Sequence, residues 1–150
     1  MRVTGMAAGA DRIELRIIGY QFPDAEPDGA DDWDANWLMI EGEVTAAGSQ
    51  WRFRDPCLTT WEARALLDWL RRAPNSDDAI DFVEPALAFA REPAEGGGVT
   101  IAVTLGDGAT PAADDAPASD PVRLTIPLTR AQLDSAAAEW ERELAAHPAR

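Results

Sequence analysis

A chain of 150 residues with 46% apolar side chains is long enough to bury one core and too apolar for wholesale disorder. Its formal charge of −14 argues against DNA, RNA and anionic membranes as partners, since each needs a basic surface, and favours a basic protein drawn in by electrostatic steering. No stretch approaches the roughly 20 apolar residues that span a bilayer, and no apolar run follows Met1-Arg2-Val3-Thr4-Gly5-Met6, so a cytoplasmic protein of one domain over 1–150 is expected.

The first predicted element is a strand over 13–22, in which Ile13, Leu15 and Ile17 alternate with Glu14 and Arg16. The apolar phase then shifts to Ile18, Tyr20 and Phe22, and Gly19 at the shift suits a β-bulge. Pro23 ends the strand. The segment that follows carries Asp24, Glu26, Asp28, Asp31, Asp32 and Asp34 with no base among them, between Tyr20 and Phe22 on one side and Trp33 and Trp37 on the other. A loop this negative repels itself, and its aromatic ends offer places to tie it down. Asp24, Glu26, Asp28, Asp31, Asp32, Trp33 and Asp34 are therefore the candidate partner-binding residues. Trp37, next to Leu38, is expected to pack against the sheet, and Trp33, between two acids, to be exposed.

Residues 36–44 and 50–57 read as a hairpin turning near Ala46-Ala47-Gly48-Ser49. Leu38, Ile40 and Val44 face the core opposite Trp51 and Phe53, and Arg52 and Arg54 point away. A helix follows with Thr59 and Glu62 as a capping box, Leu66, Leu67, Leu70 and Ala73 as its buried stripe, Arg64, Asp68 and Arg72 on a solvated face, and Pro74-Asn75 as its stop. Arginine supplies all thirteen bases, and five of them (Arg52, Arg54, Arg64, Arg71, Arg72) lie within 50–73 against only Asp55, Glu62 and Asp68. That leaves this stretch positive and the remainder more acidic than the whole. These arginines are expected to pair with Asp55, Asp68 and the acidic loop.

Further strands are predicted at 79–84, 86–91, 99–105 and 122–128, the last with Pro127 at a sheet edge because proline has no ladder donor. Residues 106–121 lack any large apolar side chain and predict an exposed, mobile loop. The closing helix opens with Thr129 and Gln132 as capping box and Leu128 with Leu133 as hydrophobic staple, buries Leu133, Ala136, Ala137, Trp140 and Leu144, and stops at Pro148. The expected class is α+β, a mainly antiparallel sheet of about six to seven strands with two amphipathic helices packed against it.

Chemistry is sparse. Asp24, Glu26, Asp28, Gly29 and Asp32 match early positions of an EF-hand loop, but the twelfth position, which needs a bidentate glutamate, is Ala35, so no metal is expected. Cys57 and His147 are the only cysteine-type nucleophile and base, and a histidine in a last helical turn is accounted for by the helix dipole. With no nucleophile elbow, phosphate loop or dinucleotide fingerprint, neither an enzyme nor a cofactor is expected.

With the elements placed, the run Ile13-Glu14-Leu15-Arg16-Ile17-Ile18-Gly19-Tyr20-Gln21-Phe22-Pro23-Asp24 resembles the opening of the WapI family of immunity proteins. Asp34-Ala35-Asn36-Trp37-Leu38, Glu41-Gly42, Trp51-Arg52-Phe53-Arg54 and Leu58-Thr59 continue the likeness. The resemblance implies a protein that neutralises a polymorphic toxin domain delivered between neighbouring bacteria, here by occlusion and charge complementarity. The alternative is a stand-alone cytoplasmic protein-interaction domain with no toxin partner.

Overall fold

A computed structural model of the chain describes residues 1–5, 10–25, 32–72, 78–93, 98–111 and 120–150. Eight strands among them form two four-stranded antiparallel meanders instead of the one sheet expected. The first contains β1 (Arg2–Thr4), β2 (Arg12–Tyr20), β3 (Trp37–Ala46) and β4 (Ser49–Thr59). The second contains β5 (Asp78–Asp81), β6 (Leu87–Pro93), β7 (Val99–Leu105) and β8 (Val122–Leu128). Three helices accompany them: a single turn α1 (Trp33–Asn36), then α2 (Thr60–Arg71) and α3 (Arg130–Ala146). Strand β1 and helix α1 were not legible in the sequence, because three or four residues are too few to show a period.

Alternation builds both sheets. On β2 and β3 the core positions Ile13, Leu15, Leu38 and Ile40 are sealed from solvent, and on β7 and β8 so are Val99, Val103, Leu124 and Ile126. Two register shifts interrupt the first sheet. One lies on β2 between Ile17 and Gly19, where Gly19 takes φ +149°, a value that L side chains rarely adopt. The other lies on β4, where three steps from Asp55 to Leu58 face two steps from Ile40 to Leu38. Both bulges therefore flank Met39, and they turn the far ends of β2 and β4 out of the regular pleat. Pro127 lies on β8, an edge strand of the second sheet. At the hairpin, Ala47 and Gly48 both take left-handed backbone, the two-residue turn that matches strand twist.

Both long helices start at the capping boxes read from sequence, Thr59 with Glu62 and Thr129 with Gln132. Helix α2 ends at Arg71, so the expected stop at Pro74-Asn75 and the stripe position Ala73 lie outside the described residues. Leu66, Leu67 and Leu70 of α2 and Leu133, Ala136, Ala137, Trp140 and Leu144 of α3 all face inward. The two helices are joined where the Trp140 indole donates to the Ala63 carbonyl at 2.8 Å. The buried side chains of both sheets and both helices form one continuous core.

One inward position is a cation. Arg91 follows Leu87 and Phe89 on the inner face of β6 and is wholly buried. Its guanidinium lies 4.6 Å from the Trp69 ring and donates to the carbonyls of Trp69 (2.7 Å) and Arg72 (3.0 Å). These belong to the last turn of α2 and its C-cap, where the dipole is negative and the Trp69 carbonyl also accepts the Arg72 backbone N–H. Burial holds the Arg91 pKa below its ordinary value, against the opposing influence of Asp78. The second sheet is thereby fastened to the carboxyl end of α2.

The expected mobile loop is corrected at its start. Asp107–Ala109 form a 3-10 turn in which Ala109 is buried and its carbonyl accepts from the Trp51 indole at 2.9 Å. A small residue close to β4 can be covered where a larger one could not, and size alone does not make a segment exposed. Residues 112–119 lie outside the described residues.

Arg91→Met keeps the bulk but strips the α2 carbonyls of their donor, and it should cost about 2–3 kcal/mol of unfolding free energy in urea titration. An unchanged midpoint would mean that the guanidinium does not hold sheet to helix.

Candidate functional site

The acidic segment is tied at both ends. At its start, Gln21 donates its backbone N–H to Trp37 at 2.8 Å, leaving Phe22 beyond the sheet and 44% exposed. The chain terminus closes over this point. Tyr20 donates its hydroxyl to the Pro148 carbonyl at 2.5 Å, and the Arg150 guanidinium lies 3.6 Å from the Tyr20 ring and donates to Pro23. His147 packs edge-on against the same ring.

At its other end, Asp32 caps α1 by accepting from the Ala35 N–H at 3.2 Å, so this acid has a structural task. Trp33 stacks against Trp37 and, edge-on, against Trp61, yet stays 48% exposed. Pinning residue and exposed aromatic are the same side chain. Asn36 next to them is fully buried with its amide saturated. Its Nδ2 donates to the carbonyls of Asp32 (2.8 Å) and Arg150 (3.0 Å), while its Oδ1 accepts from Thr60 Oγ1 (2.7 Å) and the Arg150 N–H (3.0 Å). Two donors and two acceptor lone pairs are all that an asparagine has. One residue thus joins the acidic segment, the first residue of α2 and the residues that follow α3.

Asp24, Trp33 and Asp34 are exposed at the surface, and Asp32 is half-buried; Glu26, Asp28 and Asp31 lie outside the described residues. The arginines expected to pair with this loop mostly bind elsewhere. Arg54 meets Glu41 at 2.6 Å and Arg52 meets Glu43, both directly across the β3–β4 ladder. Arg71 meets Glu141 at 2.6 Å and Arg72 meets Asp78 at 3.1 Å. The signal for the first two pairs was present in the sequence. A turn at Ala47-Gly48 sets Glu41-Gly42-Glu43 opposite Arg52-Phe53-Arg54 in reverse order, and opposite charges on facing positions attract.

Sequence reasoning missed a groove beside the loop. A concavity of 460 Å³ is lined by Phe22, Asp34, Trp37, Asp55, Pro56 and Glu84, with Gln21 at its side. A second hollow of 410 Å³ shares Gln21, Phe22 and Asp34 with it and continues to Asp24. The groove lies beside the two bulges: Gln21 and Phe22 follow the last paired residue of β2, Tyr20, and Pro56 sits inside the bulge of β4 next to Asp55, which pairs with Ile40. Asp55 was expected to hold an arginine, but among the described residues no base pairs with it. Instead burial pushes its carboxyl pKa up, and the charges of Glu84 and Asp107 push it further. Its carboxylate also rests on Gly108, where any Cβ would collide with it.

Cys57 is buried and its thiol is pushed up by desolvation, the reverse of what a nucleophile needs. Among the described residues no three His, Cys, Asp or Glu side chains converge as metal ligands, and no helix is long and apolar enough to cross a membrane. Compared with models of known families, residues 6–148 match the immunity protein WapI-like family. No curated protein matches the chain.

Asn36→Leu removes all four hydrogen bonds of the amide, one buried and three part-buried, and should cost about 3 kcal/mol, with faster amide exchange at Ala35 and Arg150; slow exchange at both would show that the asparagine is not the tie. For Asp55, the folded state holds a proton more tightly than the unfolded chain, so the group favours folding below its unfolded pKa and loses that contribution as pH rises through the folded value. Asp55→Asn should therefore raise the urea midpoint at neutral pH, and the gain should vanish as pH falls through the carboxylate range. A neutral-pH midpoint below that of the parent protein would contradict this sign.

Proposed function

The chain belongs to the WapI-like immunity protein family, and on that premise we propose that it neutralises a toxin domain by covering it, without turnover, through an acidic face that complements a basic one. The observation that carries this reading is the charge left over after folding. The arginines of β4 and the last turn of α2 are paired with Glu41, Glu43, Glu141 and Asp78, while Asp24 and Asp34 stay exposed at the ends of a segment whose anchors are aromatic. Nuclease-type toxins must attract phosphates, and the cationic surface that does so is what a carboxylate-rich loop would mask. Charge pairs of this sort raise association rate and specificity above all.

The partner is accordingly a basic protein, with nucleic acid and membrane disfavoured by the charge of −14, and the encounter is placed in the cytoplasm. Cys57, the one cysteine, is buried with its thiol pKa raised, which supports binding over catalysis. The stand-alone interaction domain stays as the second reading, since the family match names no toxin for this chain.

Affinity capture from the native cell at low salt should retain a basic protein that elutes as salt rises, with association slowing about tenfold or more between low and physiological ionic strength. Reversing Asp24, Asp28, Asp31 and Asp34 to Lys, sparing the capping Asp32, should abolish capture and protection while the thermal midpoint stays close to that of the parent. Undiminished protection by the reversed variant would remove the loop from the interface.

A further inference from the structure

The groove beside the acidic segment has a chemistry of its own. It is lined by the apolar side chains of Phe22, Trp37 and Pro56 together with the acids Asp34, Asp55 and Glu84. No base lines it, and among the described residues none pairs with these three acids. Phe22, which lines the groove, and Trp33, whose ring meets that of Trp37, are 44% and 48% exposed, so large apolar surface sits in water beside an unneutralised anionic cleft. Folding alone gains nothing from this arrangement. Leaving Asp55 half-buried beside Glu84 and Asp107 works against stability, and its carboxylate in this position occupies the space that a Cβ at residue 108 would take.

We infer that this groove is a receptor for an arginine side chain of the protein partner, with the guanidinium between the Asp55 and Glu84 carboxylates and its aliphatic stem along Phe22 and Trp37. An arginine fits the two halves of the site together. Its methylenes cover apolar surface while its charged end stays polar, and its planar head stacks on an aromatic face as it meets a carboxylate in the same plane. Lysine would satisfy the charge but not the stack. A metal ion would satisfy the acids but leave Phe22 and Trp37 unused. The volume of 460 Å³ admits one such side chain with the backbone on either side of it, and the continuation toward Asp24 gives the next partner residue a second acid. The arrival of the cation would also offset the repulsion among Asp55, Glu84 and Asp107, which adds to the effect of burial on the Asp55 carboxyl.

This inference deepens the binding role proposed above and rests on it for the identity of the partner, but its chemistry is testable without any partner. The probe is N-acetyl-arginine amide, titrated into the whole protein while the six tryptophan indole N–H signals are followed by NMR. N-acetyl-lysine amide and the neutral isostere N-acetyl-citrulline amide serve as comparisons. The expected result is a saturable shift of the Trp37 and Trp33 indoles with arginine, about tenfold weaker with lysine and absent with citrulline. The buried Trp69 and Trp140 indoles should stay in place as internal references. Asp55→Asn with Glu84→Gln, and separately Phe22→Ser on the surface, should each abolish the saturable shift in a folded protein. Equal shifts with citrulline, unchanged shifts in the double variant, or the same shifts on adding calcium alone would each overturn the assignment. In capture at low salt, a partner retained equally by the Asp55→Asn/Glu84→Gln protein but lost by the loop reversal would sink the groove and leave the binding role standing; arginine-specific shifts with no partner captured would do the reverse.

Discussion

The geometry of the acidic face depends on one saturated amide. Asn36 is wholly enclosed and all four of its hydrogen-bonding positions are used, on three segments that are far apart in sequence. A buried polar group holds one arrangement strongly because every alternative leaves it unsatisfied in a poor solvent for dipoles. That is why a single helical turn, too short to be stable alone, can hold Trp33 and Asp34 at a fixed place. The same residue fixes the chain near Arg150, whose guanidinium in turn covers Tyr20 and reaches Pro23. Both ends of a self-repelling loop are thus set by contacts outside it.

Arg91 performs the matching task on the opposite side of α2. It is a charge in a row of apolar residues, tolerated because the last carbonyls of α2 are oriented toward it and need donors. Asn36 meets α2 at its first residue, Thr60, and Arg91 meets it at its last turn. The helix is therefore the common rod to which the acidic segment, the terminus and the second sheet are all fastened. Each joint is polar and directional, whereas the hydrophobic core beneath it is not, so the joints determine orientation and the core supplies most of the stability.

Charge is sorted on the surface in the same spirit. Glu41 and Glu43 neutralise Arg54 and Arg52 along the exposed face of the hairpin, and Glu14 takes both Arg2 and Arg16. With these bases occupied locally, the four acids that line the groove and its continuation, Asp24, Asp34, Asp55 and Glu84, have no ion pair among the described residues. The raised pKa of Asp55 reflects its burial first and the nearby charges of Glu84 and Asp107 second. Proteins keep such local instabilities where function needs them, and the family to which this chain belongs is one of immunity proteins.

The amino-acid sequence by itself determined the elements whose signals are local. Period-two alternation located β2, β3, β4, β7 and β8, capping pairs located the starts of α2 and α3, and the phase shift at Gly19 located a bulge. These survive because backbone geometry imposes them within a few residues. The division into two sheets, the descent of Ala109 onto β4, the partners of the arginines and the groove that gathers Phe22, Trp37, Asp55 and Glu84 depend on residues dozens of positions apart. Asn36 gave no local sign of its role, for a polar residue beside a tryptophan reads as loop until Thr60 and Arg150 arrive around it. Tertiary structure decided those features, because a hydrogen bond or a cleft exists only once the chain has brought its two sides together.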